Sequence, residues 1–330
     1  GGGMSENSKI EWCHHTFNPW IGCTKVGPGC DNCYAEADFD KRRHVVQWGA
    51  GQPRKRTAAS NWAHPLRWNA EAERLGVRYR VFCASLADVF DNEVPAEWRA
   101  DLFDLIERTP HLDWLLVTKR IGNVRQMIPD RWSVCMPPNL WLGITVVNQA
   151  EADRDIPKLL GLKVSVRFLS MEPLLGPVDL RFHVFSEPTG NFRTHAGKRQ
   201  MELRKPVDGG LHWVIVGGES GPGARPMHPQ WARDLRDHCA AAGVPFLFKQ
   251  HGEFADMQTA RIVQSGPVMD SKGNVADWMR QAVKFSDGRS AVVRAHTFDG
   301  HSTNLMYRVG KKAAGRILDG VLHDGYPTPQ

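Results

Sequence analysis

Three cysteines, Cys23, Cys30 and Cys33, fall within eleven residues in Gly22-Cys23-Thr24-Lys25-Val26-Gly27-Pro28-Gly29-Cys30-Asp31-Asn32-Cys33-Tyr34. Thiolates are soft ligands suited to zinc or an iron–sulfur cluster, and the Gly and Pro residues let the segment curl round a metal. A four-iron cluster held by three thiols keeps one iron open to a substrate or cofactor, whereas a structural zinc takes four closed ligands. The zinc alternative would recruit Cys13, His14 or His15 as its fourth ligand. The remaining thiols, Cys83, Cys135 and Cys239, stand among apolar residues and read as core packing.

A second set of polar residues follows successive apolar runs: Ser85 and Asp88, then Thr118, Lys119 and Arg120, then Asn148, Glu172, and Glu219 with Ser220. Glu172 stands between Met171 and Pro173 in an apolar stretch, where burying a carboxylate without a role is costly. The Gly217–Gly223 turn matches neither the Walker spacing nor a complete dinucleotide fingerprint. Gly217 and Gly218 read instead as positions of close backbone approach to a ligand, a tight strand-to-helix turn being the alternative.

The elements that must position these groups alternate short apolar runs with amphipathic stretches, the signature of βαβ units and a parallel sheet. Strands are expected at Thr16–Cys23, Arg80–Ser85, Trp114–Thr118, Trp141–Val146, Val166–Ser170, His212–Val216 and Phe246–Lys249. Helices are expected at Asn32–Arg43, Ala96–Arg108, Asn123–Ile128, Ala150–Leu160 and Pro229–Ala242. The fold class is therefore α/β, a full or partial TIM-type (β/α) barrel, with functional residues at the C-terminal ends of the strands. The expected layout is a disordered tail over 1–10, a barrel over 11–254 with an insertion at about 181–210, and a C-terminal extension over 255–330 packing on the barrel. That extension reads as loops and short segments, with a helix over the basic Val309–Leu318 run.

At 330 residues, 42% hydrophobic and 24% charged, the chain is long enough for a full core and is not composed like a disordered protein. No apolar stretch is long enough to span a bilayer, and Gly1–Ile10 lacks the basic and apolar regions of a signal peptide, so no membrane partner and a cytoplasmic location are expected. The net charge of +6 favours a polyanionic partner. The clusters Lys41-Arg42-Arg43 and Arg54-Lys55-Arg56, with Trp48, Trp62 and Trp68 interleaved, offer cations for phosphates and rings for bases. A nucleic acid, DNA or RNA, is the expected partner.

The cysteine segment resembles the cluster loop of radical S-adenosylmethionine (SAM) enzymes, with Tyr34 in the aromatic position after the last cysteine. Six residues separate the first two cysteines where that superfamily usually has three. The further motifs Phe17-Asn18-Pro19-Trp20, Ser85-Leu86-Ala87-Asp88-Val89-Phe90, Thr118-Lys119-Arg120, Ser170-Met171-Glu172-Pro173, Gly217-Gly218-Glu219-Ser220-Gly221 and Val309-Gly310-Lys311-Lys312-Ala313-Ala314-Gly315-Arg316 resemble a phage-associated family of three-cysteine radical-SAM-like proteins, distantly similar to spore photoproduct lyase. The resemblance implies a [4Fe-4S] cluster on Cys23, Cys30 and Cys33 and SAM as cofactor. With SAM on the open iron, the polar and glycine positions after the strands, Ser85, Thr118, Asn148, Gly217, Gly218 and Glu219, and Tyr34 beside the cysteines, are expected as cofactor contacts, and Glu172, Asp88 and Lys119 in catalytic roles; a turn cap at Asp88 and a solvated Lys119-Arg120 pair are the alternatives. The resemblance further implies an electron donor such as flavodoxin or ferredoxin, and a radical reaction that modifies or repairs a nucleic acid base. A small-molecule or peptide substrate, or a non-catalytic zinc protein that binds nucleic acid, are the alternative readings.

Overall fold

Seven strands run parallel, and in five of them nearly every side chain is buried, as cover on both faces requires. The computed structural model describes residues 4–5, 9–181, 187–195, 198–204, 210–298 and 305–328. Its main sheet contains β1 (Met4–Ser5), β2 (His15–Phe17), β3 (Tyr79–Cys83), β4 (Leu112–Thr118), β5 (Leu140–Thr145), β6 (Val166–Met171), β7 (Trp213–Gly217) and β8 (Phe246–Gln250). Spatial order follows chain order, and every pairing is parallel except that of β1 with β2. Winding in one direction without doubling back is the barrel mode, and the sheet stays open, a half-barrel of α/β type.

Alternation along each strand separates two cores. On the outer face, Leu116, Leu142, Leu169 and Val216 pack with Leu102, Ile106, Ile156 and Leu235 from the helices. These belong to α2 (Ala96–Glu107), α3 (Gln149–Leu160) and α4 (Pro229–Ala242). On the inner face, Leu115, Trp141, Phe168, Trp213 and Leu247 gather around Trp12. Phe168 lies across Gly143, where a Cβ would stand 2.4 Å from its ring. The chain's end closes this face: Trp213 Nε1 donates to Gly325 O at 2.7 Å and Tyr326 Oη to Glu11 O at 2.9 Å.

The strand expected over Thr16–Cys23 is interrupted. Pro19 has no N–H for a ladder, and the Asn18 side chain turns to the next loop, its Oδ1 accepting the Leu86 N–H at 2.9 Å. Trp20–Ile21 leaves the sheet and pairs antiparallel with Lys55–Arg56. The helix expected from Asn32 begins at Tyr34 and widens into a π-helix over Ala37–Arg42. A helix absent from the sequence reading, α1 (His64–Leu75), fills the first crossover.

Beyond β8 the chain builds a second sheet rather than loops. It contains β9 (Phe254–Ala255), β10 (Ile262–Pro267), β11 (Arg280–Phe285), β12 (Ser290–His296) and β13 (Met306–Arg308), in the antiparallel order β9-β13-β12-β11-β10. The helix expected over Val309–Leu318 is confined to Lys311–Ala314, because Gly310 and Gly315 at φ 88° and 72° stop it at each end. Within the expected insertion, Glu187–His195 and Lys198–Arg204 pair as an antiparallel hairpin; the rest of 182–209 lies outside the described residues. Most of the expected tail over 1–10 also lies outside them.

Candidate functional site

The cysteine loop leaves Gly22, which bridges to Ala87, and lies across the C-terminal rim of the parallel sheet. At its first thiol, Arg120 Nη1 donates to Cys23 Sγ at 3.5 Å and Nη2 to Thr24 O at 2.9 Å. Arg120 is held by Asp88, whose Oδ2 accepts from Nη1 at 3.1 Å. Asp88 also accepts from Phe90 N–H, Thr118 Oγ1 and Lys119 N–H at 3.0, 2.8 and 2.9 Å. Both partners of the pair are nearly inaccessible, at 9% and 6% side-chain exposure. Burial pushes the Cys23 thiol up, and the Arg120 guanidinium opposes that shift.

The middle of the loop is a single tight turn, Pro28–Cys30, with Cys30 buried. Gly29 lies flat on the rim, where a Cβ would meet Val147 at 2.8 Å. Cys33 packs with Ile21, Ala35, Phe39 and Leu86.

A second arginine fixes the far side. Arg225 donates through Nη1 to Asp31 Oδ2 and through Nη2 to Pro28 O, both at 2.9 Å. Glu219 takes the Arg225 N–H, Nε and Nη2 at 2.8–2.9 Å, and Asn32 Nδ2 at 3.1 Å. Burial works against the Glu219 charge, but the Arg225 contacts prevail and hold its pKa below the usual carboxylate value.

The three thiols thus share one loop pinned at both ends. Among the described residues, no group of three or more His, Cys, Asp or Glu is gathered into a formed metal-holding set. The donor chemistry nevertheless fits a cluster held by three cysteines, since the loop supplies three soft donors and the first already receives a cationic N–H. It fits a four-ligand zinc site poorly, because the residues proposed to close one are occupied at the opposite end of β2. Cys13 belongs to the inner core, His14 Nδ1 accepts the Arg80 N–H at 2.8 Å, and His15 stacks on Trp68 at 4.2 Å.

The other expected site residues divide by their engagements. Ser85 bonds Asn18, and Asn148 caps α3 by accepting the Glu151 N–H at 3.0 Å. Tyr34 is 66% exposed. Lys119 lines a cleft with Gly27, Thr145 and Glu151. The close approach at Gly218 is to protein, since a Cβ there would stand 2.0 Å from His251 O. Gly217 makes room for Glu172, whose Oε2 would lie 3.0 Å from a Cβ. Glu172 Oε1 accepts from Lys249 Nζ at 2.8 Å, with side chains 23% and 15% exposed. Burial lowers the Lys249 pKa, but Glu172 outweighs it and the net shift is upward. Sequence reasoning passed over Lys249, although a lysine inside the apolar Phe246–Gln250 strand was a signal for it. It also left Arg225 unremarked.

Among the remaining cysteines, Cys83 and Cys239 are buried, and burial pushes Cys239 up to about 12. Cys135 is exposed rather than packed in the core, its Sγ donating to Met136 O. The basic and aromatic residues expected to face a polyanion are largely paired within the chain. Arg54 is buried on Asp91 at 2.8 Å, while Arg42 and Arg43 both meet Asp38. Arg56 reaches Asp101 at 2.7 Å and lies over Trp62, and Trp68 is buried.

A family model described as "Protein of unknown function (DUF5131)" matches residues 7–327. No curated protein gives a match. Among solved structures, a mutant of spore photoproduct lyase with bound AdoMet and dinucleoside spore photoproduct is similar at a TM-score of 0.40 and 11% identity, over 74% of this chain and 58% of that one. The chain therefore spans less than two thirds of that structure's length. No helix among the described residues is long and apolar enough to cross a membrane.

Proposed function

The chain belongs to the DUF5131 family, and we propose that it is a radical SAM enzyme in which Cys23, Cys30 and Cys33 hold a [4Fe-4S] cluster whose open iron receives SAM. The observation that carries this reading is the pinned three-thiol loop with the Arg120 guanidinium on Cys23. When bound, cluster and cofactor supply the one-electron cleavage of SAM to methionine and a 5′-deoxyadenosyl radical, with a flavodoxin- or ferredoxin-type protein as electron donor.

The chain's own residues do the positioning. Asp88 and Thr118 orient Arg120, and the Glu219–Arg225 pair closes the far side of the loop. Lys249 and Glu172 present a charged pair beside Gly217 at the sheet's rim. Trp12, Trp141 and Trp213 keep water from the inner face.

A nucleic acid base is the proposed substrate, supported by the +6 charge. A small-molecule or peptide substrate is the second reading, favoured by the internal pairing of Arg42, Arg43, Arg54 and Arg56.

The test is anaerobic purification, followed by the visible spectrum, iron and sulfide content, and assay of 5′-deoxyadenosine after reduction with SAM. A brown protein that loses iron when Cys23, Cys30 or Cys33 is changed to Ser, but not when Cys83 or Cys239 is changed to Ala, supports the reading. A colourless, zinc-loaded protein would end it. Salt-sensitive binding of DNA or RNA separates the two substrate classes.

A further inference from the structure

We infer that Arg120 is a positioning residue that raises the reduction potential of the cluster by donating a hydrogen bond to the Cys23 sulfur. The inference rests on the cluster reading proposed above and adds to it the residue that sets the electron's energy.

Arg120 leaves the C-terminal end of β4 and uses its guanidinium at three points. Nη1 reaches Cys23 Sγ and Asp88 Oδ2 at 3.5 and 3.1 Å, and Nη2 reaches Thr24 O at 2.9 Å. Its own N–H donates to Thr118 Oγ1 at 2.9 Å, which fixes the backbone from which the side chain starts. Other cations at the loop serve different partners. Lys25 pairs with Glu36 and the Asp31 carbonyl, while Arg225 takes Asp31, Pro28 O and Glu219. Those contacts hold the loop's shape, whereas Arg120 touches a ligand atom.

The electrostatic consequence follows from charge. Reduction adds one electron to the cluster, [4Fe-4S]²⁺ becoming [4Fe-4S]⁺, with dithionite as the one-electron donor in the test. No proton moves, because a guanidinium stays protonated. A positive N–H donor on a ligand sulfur stabilises the more negative state and so raises the potential. Asp88 opposes this, but its carboxylate is shared among three further donors, Phe90 N–H, Thr118 Oγ1 and Lys119 N–H. The Arg120 and Asp88 side chains are only 9% and 6% exposed, so the Arg120 charge is weakly screened.

The experiment compares the potentials of reconstituted full-length wild type, Arg120→Gln and Arg120→Lys by dithionite titration followed by EPR. Arg120→Gln is expected to lower the potential, so that at a fixed applied potential the reduced-to-oxidised ratio falls about tenfold, equivalent to about 59 mV for a one-electron couple. Arg120→Lys should lie between the two, since it keeps the charge but loses the fork. An unchanged Arg120→Gln potential would overturn the inference.

Should the Gln variant not fold, wild type labelled with ¹⁵N-arginine decides by pulsed EPR of the reduced cluster. A ¹⁵N coupling supports the contact and its absence refutes it. A wild type that takes up no iron and sulfide refutes the cluster reading itself, which keeps the two failures apart.

Discussion

Arg225 holds Glu219 through two parallel bonds, Nε to Oε2 at 2.9 Å and Nη2 to Oε1 at 2.8 Å, and extends its remaining nitrogen to Asp31 in the cysteine loop. Glu219, expected from sequence to contact a cofactor, is thereby committed to protein partners. The substitution Glu219→Gln removes the charge while keeping the shape. It is expected to cost about 1.5–3 kcal/mol, the usual loss for hydrogen bonds to a charged group, and to reduce the iron retained after reconstitution. Urea denaturation and iron analysis check the two effects.

Lys249 and Glu172 form a pair whose stabilisation ends at high pH. The folded-state pKa of Lys249 lies above the ordinary 10.5, so its contribution is complete below that value and is lost as pH climbs through the raised one. Replacing Lys249 with Met leaves the Glu172 carboxylate without its ammonium, at a cost of about 2 kcal/mol near neutrality. Adding Glu172→Leu should recover part of that loss. Thermal midpoints of the three proteins between neutral and strongly alkaline pH provide the comparison.

His14 sets an acid limit. It joins β2 to β3 by accepting the Arg80 N–H at Nδ1 and donating its own N–H to Arg80 O. Burial, Arg80 and His15 together lower its pKa to about 4. For a depressed histidine the stabilisation is whole above the ordinary value of 6.5 and declines as pH falls from there towards about 4. His14→Asn keeps an acceptor but cannot titrate, so its midpoint should change less across that window. Equal slopes for both proteins would contradict the assignment.

Gly217 and Gly218 differ in what surrounds them. At Gly218 a methyl group meets the His251 carbonyl carbon and oxygen at 2.6 and 2.0 Å, both backbone atoms that cannot give way. At Gly217 it meets the Glu172 side chain at 3.0–3.4 Å. Gly217→Ala is expected to cost about 1–3 kcal/mol, in the ordinary range for overpacking, and Gly218→Ala distinctly more. Soluble yield and urea midpoints of the two variants rank them.

The parallel strands were legible because runs such as Trp114-Leu115-Leu116-Val117 and Trp213-Val214-Ile215-Val216 are apolar at every position, as burial on both faces requires. The break at Asn18-Pro19 was half legible: Pro19 offers no N–H to a ladder, but the bond that turns Asn18 towards Leu86 crosses 68 residues. α1 escaped notice because it buries only Pro65, Trp68 and Ala72, a thin apolar stripe. The second sheet was missed for a related reason: β11 alternates as a half-buried strand should, yet one of its buried positions is Gln281. At the site, the thiols were readable from spacing. Their attachments were not, since Asp88, Asn148 and Glu219 look alike in sequence whether they bind a ligand or a neighbouring loop.

The separation between the cysteine loop and its anchor also orders events during synthesis. Arg225 follows Asp31 by 194 residues. At ordinary translation rates that interval lasts about 10–40 s. Throughout it the thiols have been made without the arginine that fixes their loop, and for most of it without β7, which leads to Glu219. The loop that carries Cys23, Cys30 and Cys33 therefore takes its pinned shape only once the chain has been made through Arg225.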